Sequence, residues 1–266
     1  MTNSLQSNLK QDLLVLIFLI FFSTFLCLLF RNIPILNSTI YSTITVLILP
    51  ALYLWYRKRK NYKKILIGSL ILGVLFGFIL EFMAELNKDW TIGQMIFNVK
   101  ILDILPFENI FGHFGMTFLI FTFYQHFIDR KESKRISKNL PKALFLGFIV
   151  NTIIIILFFV NKDLLIFDHS YLYMGILAVI PLIITCILYP KLLNKFLYIT
   201  LFFSVVFFML EIVGVYNHYW SFNGSSYLGI VTIGNLKFAF DDFIFWVMLY
   251  PATVTCYYEY FIDDSK

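Results

Sequence analysis

Eight runs of roughly 20 mostly apolar residues decide what this chain can fold into. They cover 12–30, 36–56, 65–86, 107–129, 143–161, 171–189, 196–217 and 240–261. A helix needs about 20 residues to cross the hydrocarbon core of a bilayer. None of the runs alternates polar and apolar residues as a barrel strand does. Lipid offers the backbone no hydrogen bonds, so runs of this kind satisfy themselves as helices. The composition agrees, with 60% hydrophobic and 14% charged residues and a mean hydropathy of +0.81. That is more apolar residue than one soluble core can hide. Few basic residues precede the first run and no small-residue cleavage site follows it, so it reads as a retained helix rather than a leader.

The charges orient the bundle. The N-terminus, the loops after helices 2, 4 and 6 and the C-terminus hold Lys10, Arg57, Lys58, Arg59, Lys60, Lys63, Lys64, Arg130, Lys131, Lys134, Arg135, Lys138, Lys142, Lys191, Lys195 and Lys266. The opposite side holds only Arg31, Lys88, Lys100, Lys162 and Lys237. Basic loops stay in the cytoplasm, so both termini are expected there. The expected fold is therefore an all-α, polytopic membrane helix bundle of about eight transmembrane helices. The expected location is a cell membrane of bacterial type. The net charge of +5 resides in these loop clusters, and no basic stripe marks a nucleic-acid surface.

The two halves repeat each other. Glu81, Asn87 and Trp90 recur as Glu211, Asn217 and Trp220 at identical spacing. Phe107-Glu108-Asn109-Ile110 answers to Phe240-Asp241-Asp242-Phe243. Phe127-Ile128-Asp129 answers to Phe261-Ile262-Asp263, preceded by Tyr124 and Tyr258. Three blocks in one order at nearly constant offset point to tandem duplication, with units at 1–135 and 136–266. An even number of helices per unit inserts both copies in the same orientation, as parallel repeats about an axis along the membrane normal.

Carboxylates in or beside membrane helices are costly and are functional candidates by default. Glu81 and Glu211 fall near the ends of helices 3 and 7, where the helix dipole disfavours an anion. Glu108, Asp241 and Asp242 stand at the starts of helices 4 and 8, where they also fit as caps of the helix dipole. All five share one face of the membrane by topology. The aromatics Trp90, Phe107, Trp220, Phe222, Tyr227 and Phe240 accompany them. These fit an interfacial belt, or a wall that stabilises a passing cation.

Other chemistries lack their residues. His113 follows Glu108 by five positions, but the other half does not repeat it, and no metal site is expected. Cys27, Cys186 and Cys256 lie far apart inside apolar runs and read as small hydrophobes. No P-loop, Gly-rich nucleotide turn or Ser-His-Asp signature is present, and no cofactor is expected.

These blocks resemble the small integral-membrane lycopene cyclases, a family found as paired subunits or as one fused chain. Each unit of that family carries an acid on one helix, a Trp-aromatic stretch after it, and a Pro-x-Glu-Glu/Asp motif at the head of the next helix. Here Glu211 precedes Trp220-Ser221-Phe222 by the family's spacing, where the family more often has Asp. Gly229-Ile230 and Ile233-Gly234 stand where the family has a Gly-rich approach to the motif. Leu105-Pro106-Phe107-Glu108-Asn109-Ile110-Phe111 is similar to the motif with Asn109 in place of its second acid. Ala239-Phe240-Asp241-Asp242 keeps two acids and loses the proline. Tyr258-Glu259 matches the family's helix end. The resemblance covers mainly 78–129 and 208–262.

The resemblance implies proton-initiated cyclisation of an isoprenoid end group, without net redox change. The catalytic acids it carries over are Glu81, Glu108, Glu211, Asp241 and Asp242. Asp241 or Glu108 is then the expected proton donor, with Glu81 and Glu211 completing the network. The expected partners are an apolar isoprenoid drawn from the bilayer, membrane lipid, and a second copy of the chain if the bundle self-associates. Two rival functions remain at this stage. A carotenoid or terpenoid hydratase would capture water after the same protonation. A proton-coupled transporter or non-enzymatic membrane protein would also place acids on the axis of parallel repeats.

Overall fold

The computed structural model describes residues 2–57, 61–129 and 135–263. Of the basic residues that orient the chain, Lys58, Arg59, Lys60, Arg130, Lys131, Lys134 and Lys266 lie outside the described residues. Eight long helices run through the described residues. They are α1 (Thr2–Leu29), α2 (Thr39–Arg57), α3 (Tyr62–Asn87), α4 (107–128), α5 (Leu140–Asn161), α6 (Ser170–Leu188), α7 (Pro190–Tyr216) and α8 (240–261). Six of them, α1, α2, α3, α5, α6 and α7, are long and apolar enough to cross a membrane. The chain is a bundle of helices of membrane-spanning length.

Local chemistry sets the ends. Ser38 caps α2 by accepting the Tyr41 N–H at 3.2 Å. Pro190 begins α7 ahead of the expected residue 196, because proline is pre-set for the first helical position and needs no partner for a missing N–H. Four helices contain a wide π-type stretch: 43–48 in α2, 69–75 in α3, 124–128 in α4 and 243–249 in α8. Such bulges often accompany functional sites.

The all-α expectation omitted three short antiparallel ladders. Lys100–Ile101 pairs with Leu105–Pro106, and Ile230–Ile233 pairs with Leu236–Ala239. The second hairpin turns at Gly234-Asn235, with Gly234 at φ +60°, as a two-residue hairpin turn requires. The third ladder joins the halves, Thr91 opposite Ser221 and Ile92 opposite Trp220.

α4 packs against α2 and α3, and α8 packs against α6 and α7. The outer helices cross over: α1 packs on α7, and α5 packs on α3. The core fills the middle of the bundle, where Phe121 stacks on Tyr258 with ring centroids 4.5 Å apart and Phe123 stacks on Phe202 at 4.3 Å. Close approach of α3 to α4 requires Gly73, since a Cβ there would stand 2.3 Å from Thr117 Oγ1.

At one end of the bundle, charges are buried in pairs. Lys64 on α3 bonds Asp263 just beyond α8, and Gln125 Nε2 donates to the same carboxylate at 3.0 Å. Lys195 on α7 lies 3.4 Å from Asp129 and 3.1 Å from the Tyr124 hydroxyl, which itself donates to Glu259. Asp129, Glu259 and Asp263 thus come together with two lysines beside them. Removing one partner of such a pair strands the other charge. Lys64→Met is expected to cost about 3–5 kcal/mol. The double variant Lys64→Met/Asp263→Leu recovers most of that loss, measured by thermal unfolding in detergent.

Candidate functional site

At the opposite end, α3 and α7 finish in the same way. Lys88 and His218 take the left-handed conformation, with φ of 59° and 58°. The Lys88 N–H donates to the Glu85 carbonyl at 3.2 Å and the Asp89 N–H to the Ala84 carbonyl at 2.8 Å. The His218 N–H donates to Val215 at 3.2 Å and the Tyr219 N–H to Gly214 at 2.8 Å. Both sets are the paired bonds of a Schellman turn. The turn reverses the chain and lays the next indole back on its own helix. Trp90 Nε1 donates to Glu81 Oε2 at 3.1 Å, and Trp220 Nε1 donates to Glu211 Oε2 at 2.9 Å. The Trp220 ring lies where a Cβ on Gly214 would stand, 2.1 Å from that position.

The ladder between Thr91 and Ser221 then joins the two turns, with the hydroxyls 3.1 Å apart. Between them lies a cavity of about 90 Å³. Its acids are Glu81, Glu211 and Asp242. Its rings are Trp90, Trp220, Phe222 and Trp246. All three acids are buried. Glu81 is held on both oxygens: Asn109 Nδ2 donates to Oε2 at 2.7 Å, and His113 Nε2 lies 2.6 Å from Oε1. His113 Nδ1 is 3.2 Å from the Tyr250 hydroxyl. Asp242 Oδ1 accepts from the Tyr171 hydroxyl at 2.8 Å. No lysine or arginine lines this cavity.

The structure brings together Glu81, Glu211, Asp242, Trp90, Trp220 and Phe222 of the residues expected from sequence. Phe240 lines a second, apolar cavity that shares Glu211 and Asp242 with the first. Glu108, Asp241, Phe107 and Tyr227 stand outside the main cavity. Glu108 Oε1 accepts the backbone N–H groups of Ile96 and Phe97 at 2.6 and 2.8 Å, and Asp241 Oδ2 accepts that of Leu228 at 2.7 Å. Each fastens the loop before its helix to the first turn, the capping role available to an acid there. The Phe107 side chain is exposed. The Tyr227 hydroxyl donates to the Asp89 carbonyl and ties its loop to the turn after α3.

Asn109, His113, Trp246, Tyr250 and Tyr171 belong to the site without having been expected there. The matched sequence blocks contained the signal. An offset of 133 residues sets Asn109 against Asp242 and His113 against Trp246. Steps of four from 109 to 113, and from 242 to 246 to 250, then place these residues on one face of each helix. No family model, curated protein or solved structure matches the chain.

Asp89 lies in the turn between Glu81 and Trp90 and accepts from the Ser170 hydroxyl at 2.6 Å. Burial pushes its carboxyl from an ordinary 3.8 up to about 6, with the nearby Asp241 charge adding to the rise. A carboxyl raised by folding binds its proton more tightly in the native state. Its stabilising contribution is complete below pH about 4 and is lost as pH climbs to about 6. Asp89→Asn is therefore expected to raise the melting temperature at pH 7 and leave it unchanged at pH 4, read by thermal unfolding at both values.

Proposed function

We propose that the chain is a membrane-embedded isoprenoid cyclase of the lycopene cyclase kind, acting on a linear end group drawn from the bilayer. All eight helices cross the membrane as two parallel four-helix repeats, with both termini in the cytoplasm. The matched Schellman turns, the crossed packing of α1 on α7 and α5 on α3, and the pairing of Thr91 with its counterpart Ser221 support this arrangement. The observation that carries the function is one cavity holding three buried acids and three tryptophans with no basic side chain in its lining.

In this reading Glu211 and Asp242, which line the same cavity, supply the proton that starts the reaction. That proton goes to the terminal double bond of the substrate and leaves a tertiary carbocation. Trp90, Trp220 and Trp246 present ring faces to the charge. The internal alkene attacks, forming the new carbon–carbon bond and closing the ring. Glu81, held in place by Trp90, Asn109 and His113, then removes a proton from the carbon beside the new cation. One proton enters the substrate and one leaves, so the product is an isomer. This places the donor at Glu211 and Asp242 and leaves Glu108 and Asp241 as fastenings of their loops.

Ion transport asks for polar groups through the middle of the bundle. The middle here is filled instead by an apolar core that includes Leu72, Phe121, Phe203, Phe207 and Val247.

The test is expression in a lycopene-accumulating bacterium, with pigments separated by chromatography and weighed by mass detection. The expected products are monocyclic or bicyclic at unchanged mass. The combined Glu211→Gln/Asp242→Asn variant is expected to lose about 10²–10⁴-fold in conversion, and Glu108→Gln less than about 10-fold, since a carboxamide oxygen still accepts the loop N–H groups. A membrane-inserted double variant that cyclises normally overturns the donor assignment. Unaltered lycopene in the presence of the wild-type protein overturns the carotenoid reading, and a product heavier by one water makes it a hydratase.

A further inference from the structure

A base that takes a proton from its substrate must lose that proton before the next turnover. Glu81 faces the cavity with its two oxygens held differently. Oε1 meets His113, which leads inward to the Tyr250 hydroxyl. Tyr250 is buried against Trp246, so that side ends inside the bundle. Oε2 accepts from Trp90 and from Asn109. An asparagine amide carries two N–H donors on one nitrogen. Asn109 Nδ2 lies 2.7 Å from Glu81 Oε2 and 3.4 Å from Glu85 Oε1, so it faces both carboxyls.

Glu85 stands one helical turn beyond Glu81 on α3, on the same face of the helix. It is not part of the cavity lining, and it is half-buried where Glu81 is buried. The shared donor nitrogen keeps the two carboxylate oxygens within about 6 Å of each other, a gap that one water spans with ordinary hydrogen bonds. The charged and titratable groups around the pair are Lys100 beside Glu85, and His113 and Asp242 beside Glu81. The second half lacks such a link. Val215 follows Glu211 by four residues, as Glu85 follows Glu81, and Asp242 stands where the first half has Asn109. Glu211 therefore has no carboxyl one turn further along its helix.

We propose that Glu85 carries the proton of Glu81 out to the water beyond the end of α3. This inference rests on the cyclase reading, in which Glu81 takes a proton from the cyclised cation. The neutral Glu81 gives that proton through one bridging water to the Glu85 carboxylate and returns to the anion. Glu85 then releases the proton to solvent. Each transfer breaks one O–H bond and forms another, and no further reactant is consumed. The route matters because a substrate seated in the cavity covers Glu81 on that side, whereas Glu85 lies behind the lining. Val215 in the second half confines this outlet to the half that holds the base. Glu85 touches no substrate; it is a positioning residue that acts through Glu81.

The test follows initial rates of lycopene conversion in membranes holding the full chain, against lycopene concentration. Glu85→Gln keeps an acceptor for Asn109 and is expected to lower kcat about 10-fold or more with KM unchanged. Glu85→Asp is expected to keep most of the rate. Glu85→Ala is expected to regain rate when formate is added, because a small weak acid replaces the missing carboxyl, while the wild type does not respond. A kcat that Glu85→Gln leaves unchanged, or a loss that neither aspartate nor formate restores, overturns the proposal and leaves the cyclase reading standing. If the wild-type protein converts no lycopene, the cyclase reading fails on its own, and the link is read without substrate. Protein in detergent is treated with dicyclohexylcarbodiimide, which modifies protonated carboxyls in apolar surroundings, and the adducts are mapped by mass. Modification of Glu81 that falls about 3-fold or more in Glu85→Gln, with the neighbouring charge gone, upholds the proton link between the two carboxyls. Equal modification overturns it.

Discussion

A carboxyl group buried among apolar helices must find its donors inside the protein, since lipid supplies none. That constraint organises this end of the bundle. Glu81 and Glu211 each lie two turns short of a helix end, and each is satisfied by an indole that follows it in sequence. The indole reaches back only because the helix stops in a Schellman turn at Lys88 or His218. The turns in turn meet through Thr91 and Ser221, which closes the bundle over the acids. A change at any of these positions acts on the others. A side chain on Gly214, for instance, occupies the place of the Trp220 ring and releases the donor of Glu211.

Much of this was legible from the sequence because it is written at short range. The Glu–Asn–Trp spacing lies within ten residues, and the turn that joins its parts is a local structure. The eight apolar runs likewise fix the helices, apart from ends that proline and capping residues move, as Pro190 does for α7. The sequence does not carry the cross-chain geometry in the same way. Asp241 and Asp242 are adjacent and chemically alike, yet one bonds the Leu228 amide and the other faces the cavity. A helix advances about 100° per residue, so which neighbour turns inward depends on how α8 packs against α7. His113 was visible as a lone histidine. Its partner Glu81 is 32 positions away and its other contact, Tyr250, is 137 positions away. Only the assembled bundle makes that pairing.

The matched sequence blocks of the two halves differ at two aligned pairs that bear on the acids. Where the second half has Asp242, the first has Asn109, a donor to Glu81. Where the first half has His113, the second has Trp246, whose ring lies 4.9 Å from that of His113 and 4.3 Å from that of Tyr250. The first half thus surrounds its glutamate with hydrogen-bonding partners. The second half sets a second carboxyl, Asp242, in the same cavity as its glutamate. A strictly symmetric pair of sites would hold both glutamates alike. The same asymmetry extends into the bundle, where α1 closes against α2 while α5 and α6 stay apart. One half closes its outer helix against its own second helix, the other does not, and both contribute acids to a single cavity.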